Sequence, residues 1–426
     1  MPNVGWPAAG GADTETIRRE SGNFAGNRSE TMKITRIETF LLKAPLGEKR
    51  FWSSQESFPE RKSLLVRVDT DAGLSGWGEA GQYGPAEPVA SHIHDVFAPI
   101  LLGEEARQPA VLWDRMYSRT RDFGAKGSTI EAISGLDIAL WDVLGKHHEA
   151  PVYELLGGAF RRSVQTYATG LYYRGPDPTD AAEDLVRVRE EAGRYREEGF
   201  PAVKAKIGLL EPKRDLERIA AIREALGDET LLMVDANHAY ATHVACAVAR
   251  ELERFGVYWF EEPVVPEDLD GYRRVRDATT IAIAGGECEH TRYGFARWLA
   301  ARALDIAQPD PTSAGGLTEI ARIAALASAF HVHCLPHVWG SGVALAAGLQ
   351  FLATLPPSPY TARPAAPYNE PLLEWDANPN PLRTEILREP IVPEEGRAAV
   401  PQGPGLGVEI NQQALARYVV AHRRSE

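Results

Sequence analysis

Between residues 202 and 337, six short apolar runs each end in a polar or charged side chain: AVKAKIG, LLMVDANH, VYWFEEP, IAIAGGE, LDIAQPD and HVHCLPH. Their terminal residues are Lys206, Asp235, Glu261, Glu287, Asp310 and His337, spaced 29, 26, 26, 23 and 27 residues apart. Such an interval accommodates one strand, a loop, a helix and a second loop. The stretches between the runs, such as PKRDLERIAAIREALG and LTEIARIAALASAF, carry apolar residues at helical spacing. With VQTYATG (164–170) ahead of the six and one unit behind them, the pattern predicts an α/β fold, a modified (β/α)7β barrel. In such barrels the carboxyl ends of the strands gather at one mouth. A doubly wound open sheet would carry a Gly-rich turn after its first strand, and VQTYATGLYYRG is not one.

Upstream the rhythm differs. KITRIETFLL and KSLLVRVDT alternate like strands, LSGWGEA follows a DAG turn, and three helical patterns end in STIEAISGLDIALWDVLGKHH. Residues 32–150 are therefore expected to form an α+β capping domain, with 151–385 as the barrel. Residues 43–60 are too irregular and aromatic for a simple hairpin, and a long loop of this kind is a lid candidate. The Pro- and Gly-rich segment 386–426 is expected to return to the capping domain, and 1–31 reads as a disordered extension.

Net charge is −13, which argues against non-specific nucleic-acid binding, since that requires a basic surface. Three scattered cysteines do not make a disulfide framework; a reducing, cytoplasmic setting is expected. GSGVALAAGLQFLATLP (340–356) is the longest apolar run and is too short to span a bilayer, so it reads as a buried helix.

Asp235, Glu261 and Glu287 end three successive strands, so their carboxylates converge. A lone acid is usually a cap or an ion-pair partner; three in step with the barrel period point to a hard, all-oxygen site for Mg²⁺. Glu262 has the opposite pleat direction and is expected to brace the site from outside. Lys204 and Lys206 share a strand face one unit earlier, and their crowding is expected to lower a lysine pKa towards that of a general base. Asp310 and His337 end adjacent strands, where the acid would orient the imidazole. A metal flanked by two bases suits removal of a proton α to a carboxylate, with the metal and Lys204 stabilising the enediolate. This Lys-or-His base plus Mg²⁺ arrangement is the general enolase-superfamily pattern.

Together GWGEA, GLDIALWD, KAKIG, DANH, WFEEP, GGE, QPD and PHVWGSG resemble the mandelate racemase subgroup of the enolase superfamily, over about 32–411. The resemblance implies Lys206 as one base, Lys204 as the group that binds the substrate carboxylate, and Asp235, Glu261 and Glu287 as ligands of one Mg²⁺ per subunit. It implies the His337–Asp310 dyad as the opposite base, Asn237 near metal and substrate, and Glu374 as the acid bonded to the substrate carboxylate. DANHAY, YWFEEPVVPEDLD and GPGLGVEIN are similar to the branch that opens sugar-acid lactones and anhydro sugar acids. That implies a cycloisomerase acting on a small anionic sugar acid, in a homo-oligomer such as an octamer, with no nucleic-acid or membrane partner. A sugar-acid dehydratase, a 2-hydroxy-acid racemase and a non-catalytic sugar-acid binding protein are the alternatives.

Overall fold

The chain enters along β1 (Ile34–Pro45), turns through β2 (Phe51–Trp52) and β3 (Ser57–Phe58), and returns along β4 (Glu60–Thr70) and β5 (Ser75–Glu79). The computed structural model describes residues 31–426 apart from 82, 83 and 176, so all but the last residue of the expected 1–31 extension lies outside the described residues. β1 and β4 remain paired as far as Pro45 opposite Glu60. Residues 43–60 are thus a hairpin after all, with a second small hairpin, β2–β3, at its tip. Its turns use Gly47, at φ 58°, and Ser53, whose Oγ accepts from the Gln55 N–H at 3.2 Å, while its short strands bury aromatic surface. Phe51 is fully buried against Phe58, Tyr172 and Trp339.

The helix Ser128–His148 lies across β5. Its approach explains the glycines of GWGEA: a Cβ on Gly78 would stand 2.1 Å from the carbonyl oxygen of Gly135, and one on Gly76 2.0 Å from that of Ala139. Neither side chain can be accommodated without separating the helix from the strand.

Eight parallel strands follow: β6 (Ser163–Gly170), β7 (Ala202–Lys206), β8 (Leu231–Asp235), β9 (Val257–Glu261), β10 (Ala282–Gly285), β11 (Ile306–Ala307), β12 (His333–Cys334) and β13 (Leu372–Asp376). Their hydrogen-bonded order is β12-β11-β10-β9-β8-β7-β6-β13. Inward side chains from around this sheet, from Tyr167 and Trp259 to Ile306, Leu335 and Leu372, meet in one buried cluster. That cluster fills the barrel, as layered strand residues do in this architecture. The run at 340–356 forms the helix Gly342–Thr354, whose residues are buried almost throughout.

β14 (Arg397–Ala399) then pairs antiparallel with β6, and β15 (Val419–Ser425) adds to the edge of β1. Buried acids from the first 150 residues accept donors from the barrel loops. Glu79 accepts from the backbone N–H groups of Ser341 and Ala344 at 3.1 Å, at the start of Gly342–Thr354. Asp137 accepts from the N–H and hydroxyl of Thr318, at 2.9 and 2.6 Å. A carboxylate at a helix N-terminus satisfies donors that the helix itself leaves open.

Gly78→Ala should shift the urea unfolding midpoint by the equivalent of about 3 kcal/mol, the usual scale of overpacking a tight contact. An unchanged midpoint would contradict this account of the GWGEA glycines.

Candidate active site

Strand pairing places the sequence-derived residues in register: Lys206 lies beside Asp235, and Asp235 beside Glu261. Glu287, Asp310 and His337 stand two or three residues beyond the ends of β10, β11 and β12, so loops rather than strands carry them inward. All six are buried. Carboxylate oxygens of Asp235, Glu261 and Glu287 all lie within 4.8 Å of one another. Glu262 faces elsewhere, its backbone at φ 45° and its Oε1 2.7 Å from Nε2 of His238.

Lys204 Nζ, only 1% exposed, lies 2.6 Å from Oε1 of Glu261 and 2.9 Å from Oε1 of Glu374. Lys206 Nζ donates to Oδ2 of Asp235. Burial alone would favour neutral lysines, but the carboxylates outweigh it and hold both pKa values above the ordinary lysine value. A divalent cation held by Asp235 and Glu261 would compete with both lysines for these carboxylates and act in the direction expected from crowding. For Lys206, the repulsion from Lys204 is a lesser influence than the attraction to Asp235.

His337 donates from one ring nitrogen, Nδ1, to Oδ2 of Asp310 at 2.6 Å, leaving Nε2 aimed into the mouth. That nitrogen is 3.6 Å from Oε2 of Glu287 and 3.8 Å from Oε2 of Glu374. Burial opposes protonation of the ring; Glu287, Glu374 and Asp310 overcome it and raise the pKa to about 10. Asp310 is itself fixed by the N–H and hydroxyl of Thr312, each at 2.6 Å. The acidic triad thus has Lys206 on its Asp235 side and His337 on its Glu287 side.

Glu374 accepts from Thr169 Oγ1 at 2.6 Å and from the Val338 N–H at 3.1 Å. Burial raises its pKa, yet Lys204 and His337 bring it well below the usual carboxylate range. Burial pushes Glu261 up to about 8; Lys204 offsets this in part, while Asp235 and Glu287 add to it. Asn237 is also at the mouth, its N–H donating to Oδ1 of Asp235 at 2.8 Å.

Two further residues hold Glu261 and were missed in sequence. Gln308 Nε2 and Trp259 Nε1 donate to its Oε2 at 2.8 and 3.0 Å. Each sits two residues before a site acid, Asp310 or Glu261, and so shares its pleat direction; that phase was the available signal.

The β2–β3 tip covers the mouth. Trp52 and Tyr173 exchange backbone bonds at 2.9 and 3.2 Å, and Ser54 Oγ donates to the carbonyl of Ala236 at 2.7 Å. Between tip and barrel is a cavity of about 60 Å³, bordered by Phe58, Tyr172, Trp339, Lys206, His337 and Glu374. The space next to the reacting groups is thus narrow, and the tip forms one of its walls.

Residues 36–157 match the family model for the mandelate racemase / muconate lactonizing enzyme N-terminal domain, and 187–414 the enolase C-terminal domain-like model. The chain belongs to the mandelate racemase/muconate lactonizing enzyme family. Within this family it is 44% identical over 387 residues to the D-galactarolactone cycloisomerase of Agrobacterium fabrum, covering 91% of this chain and 99% of that one. It is 36% identical to the arabinonate dehydratase of Saccharolobus solfataricus, covering 83% of this chain and 90% of the relative. The crystal structure of the 3,6-anhydro-D-galactonate cycloisomerase from Zobellia galactanivorans superposes with a TM-score of 0.79 at 41% identity, over 91% of this chain and all 100% of that one. The enolase-superfamily assignment made from KAKIG, DANH, WFEEP and GGE is thereby established, as is the barrel with its cap. No helix among the described residues is long and apolar enough to cross a membrane.

Three buried carboxylates at such separations, with no thiol or imidazole among them, suit a hard divalent cation. Glu287→Gln should weaken binding of such a cation at least about tenfold, measured by calorimetric titration of chelator-treated protein. An unchanged affinity with intact circular dichroism would remove Glu287 from the ligand set.

Proposed function

We propose that the protein is a Mg²⁺-dependent cycloisomerase of a sugar-acid lactone or anhydro sugar acid, with one Mg²⁺ per subunit. The observation that carries this reading is the acidic triad, with an ammonium on its Asp235 side and an imidazole on its Glu287 side. The curated relative at 44% identity bears a cycloisomerase name, and so does the solved structure at 41%. The aromatic border of the cavity, Phe58, Tyr172 and Trp339, suits the face of a closed sugar ring.

Asp235, Glu261 and Glu287 would hold the cation. When bound, Mg²⁺ supplies positive charge against the substrate carboxylate as a second negative charge develops there. Lys204 binds the same carboxylate from the opposite side of Glu261. Glu374 is charged beside Lys204, and an incoming carboxylate would place two anions together, so Glu374 takes up a proton and becomes a donor. Lys206 and His337 then divide the proton work. One removes the proton α to the carboxylate, and the electron pair of that C–H bond forms the enediolate. As the enediolate collapses, the bond from the β carbon to the ring oxygen breaks. The other residue gives that oxygen its proton, and the enol becomes a 2-keto-3-deoxy acid. The configuration of the α carbon decides which side acts as base, because it fixes whether the C–H bond points to Lys206 or to His337.

A dehydratase would use the same steps with hydroxide as the leaving group, and the 36% relationship to an arabinonate dehydratase favours it as the second reading. The wider proposal is a cytoplasmic homo-oligomer acting on a small anionic substrate without nucleic acid. Three free cysteines support a reducing compartment.

Incubation in heavy water with Mg²⁺ and a panel of aldonic acids, aldaric acids and their lactones should yield a keto acid deuterated at the new methylene, seen by NMR. Ring opening of a lactone or anhydro acid supports the cycloisomerase, whereas a product formed only from open-chain acids would replace it with the dehydratase. Lys206→Ala and His337→Asn should each lower turnover by about 10²–10⁴-fold, the usual contribution of a positioned acid or base. Full activity in both variants would refute the two-sided mechanism.

A further inference from the structure

Beside the all-oxygen triad lies a second constellation that the reaction above leaves unused. His238, Glu262 and Cys288 bring one imidazole nitrogen, one carboxylate oxygen and one thiol sulfur within 4.8 Å of one another. It shares no residue with Asp235, Glu261 and Glu287. The origin of the arrangement is visible in the chain: Glu262 follows Glu261, and Cys288 follows Glu287. Glu262 and Cys288 lie just past the ends of β9 and β10, so a second row of donors grows from the same loops as the first.

The backbone holds this row in place. Asn237, His238 and Glu262 adopt φ values of 43°, 66° and 45°, a left-handed conformation that is uncommon for residues other than glycine. Nε2 of His238 lies 2.7 Å from Oε1 of Glu262, so the imidazole and carboxylate already face each other as a pair. The other ring nitrogen, Nδ1, is 3.0 Å from the side-chain amide of Gln55 in the covering tip. A half-turn of the Gln55 amide presents its carbonyl oxygen to Nδ1–H, the acceptor that a metal-binding imidazole needs on its far side.

We propose that His238, Glu262 and Cys288 form a second cation site, selective for thiophilic divalent ions such as Zn²⁺ or Cd²⁺, whose occupation narrows the substrate cavity. The donor set distinguishes it from its neighbour: thiolate and imidazole favour borderline and soft ions, whereas three carboxylates favour Mg²⁺. Tetrahedral ligation places an imidazole nitrogen and a carboxylate oxygen about 3.4 Å apart, so the His238–Glu262 contact opens by under an ångström to receive the ion. Cys288 loses its thiol proton on binding, as a ligating cysteine must. All three side chains border the cavity that holds Lys206 and His337. An ion there, with the water that completes its coordination, occupies part of the cavity at the expense of the sugar acid.

The test uses the full chain in Mg²⁺-containing buffer, titrated with CdCl₂ and followed by the ultraviolet thiolate-to-cadmium charge-transfer band. One equivalent should produce the band in the wild type, in Cys246→Ser and in Cys334→Ser. Cys288→Ser should abolish it, and His238→Gln should weaken Cd²⁺ binding at least about tenfold. A band that persists in Cys288→Ser, or an unchanged affinity in His238→Gln, would overturn the proposal. These readouts need no turnover, so their failure leaves the proposed reaction untouched, and an error in that reaction leaves them intact.

Discussion

An ammonium removed from water keeps its charge only where opposite charge replaces the lost hydration. Lys204 meets that condition through Glu261 on one side and Glu374 on the other, at 2.6 and 2.9 Å. The two acids belong to different parts of the barrel, Glu261 to β9 and Glu374 to β13, so one lysine ties distant strands together at the mouth. Removing it would leave two buried carboxylates facing each other without the cation that lies between them. The same contacts raise the lysine and depress Glu374, so the charge state of each group is a property of the whole cluster.

A second set of buried charges connects the cap to the barrel, and it works by different chemistry. Glu79 and Asp137 accept hydrogen bonds from barrel segments at the starts of helices. Arg61, on β4, sits 2.5 Å from Oδ2 of Asp376 with its guanidinium 3.7 Å over the ring of Trp339. β4 also carries the return of the hairpin whose tip covers the cavity. The covering tip therefore rises from a base that is firmly held against the barrel.

The barrel and the acidic triad were legible because strand ends recur at a nearly constant interval, and burial on both faces makes any charged residue in such a strand conspicuous. Periodicity does not locate the strand end itself. β10, β11 and β12 stop short of Glu287, Asp310 and His337, yet the loops restore the phase. Glu374 had no such signal: the interval from His337 is longer than the repeat, and only family resemblance singled it out. The hairpin at 43–60 was hidden because the strands at its tip are only two residues long and rely on ring packing as well as on turn bonds. The carboxylates that pair with the lysines lie across the sheet, so spacing along the chain did not reveal how strongly they hold the ammonium charge. Sequence spacing records which side chains share a face, and it is silent on which distances are shortest.

The outer strand of the cap sheet comes from residues 419–425, while its partner β1 lies at 34–45, with the entire barrel between them. During synthesis the barrel strands emerge before the strand that completes this sheet. The edge of β1 waits through that interval with its backbone donors and acceptors unmatched, the exposed-edge condition that promotes pairing with other chains. Assembly of this molecule is thus ordered in time: the reacting centre is synthesised before the strand that closes the sheet anchoring its cover.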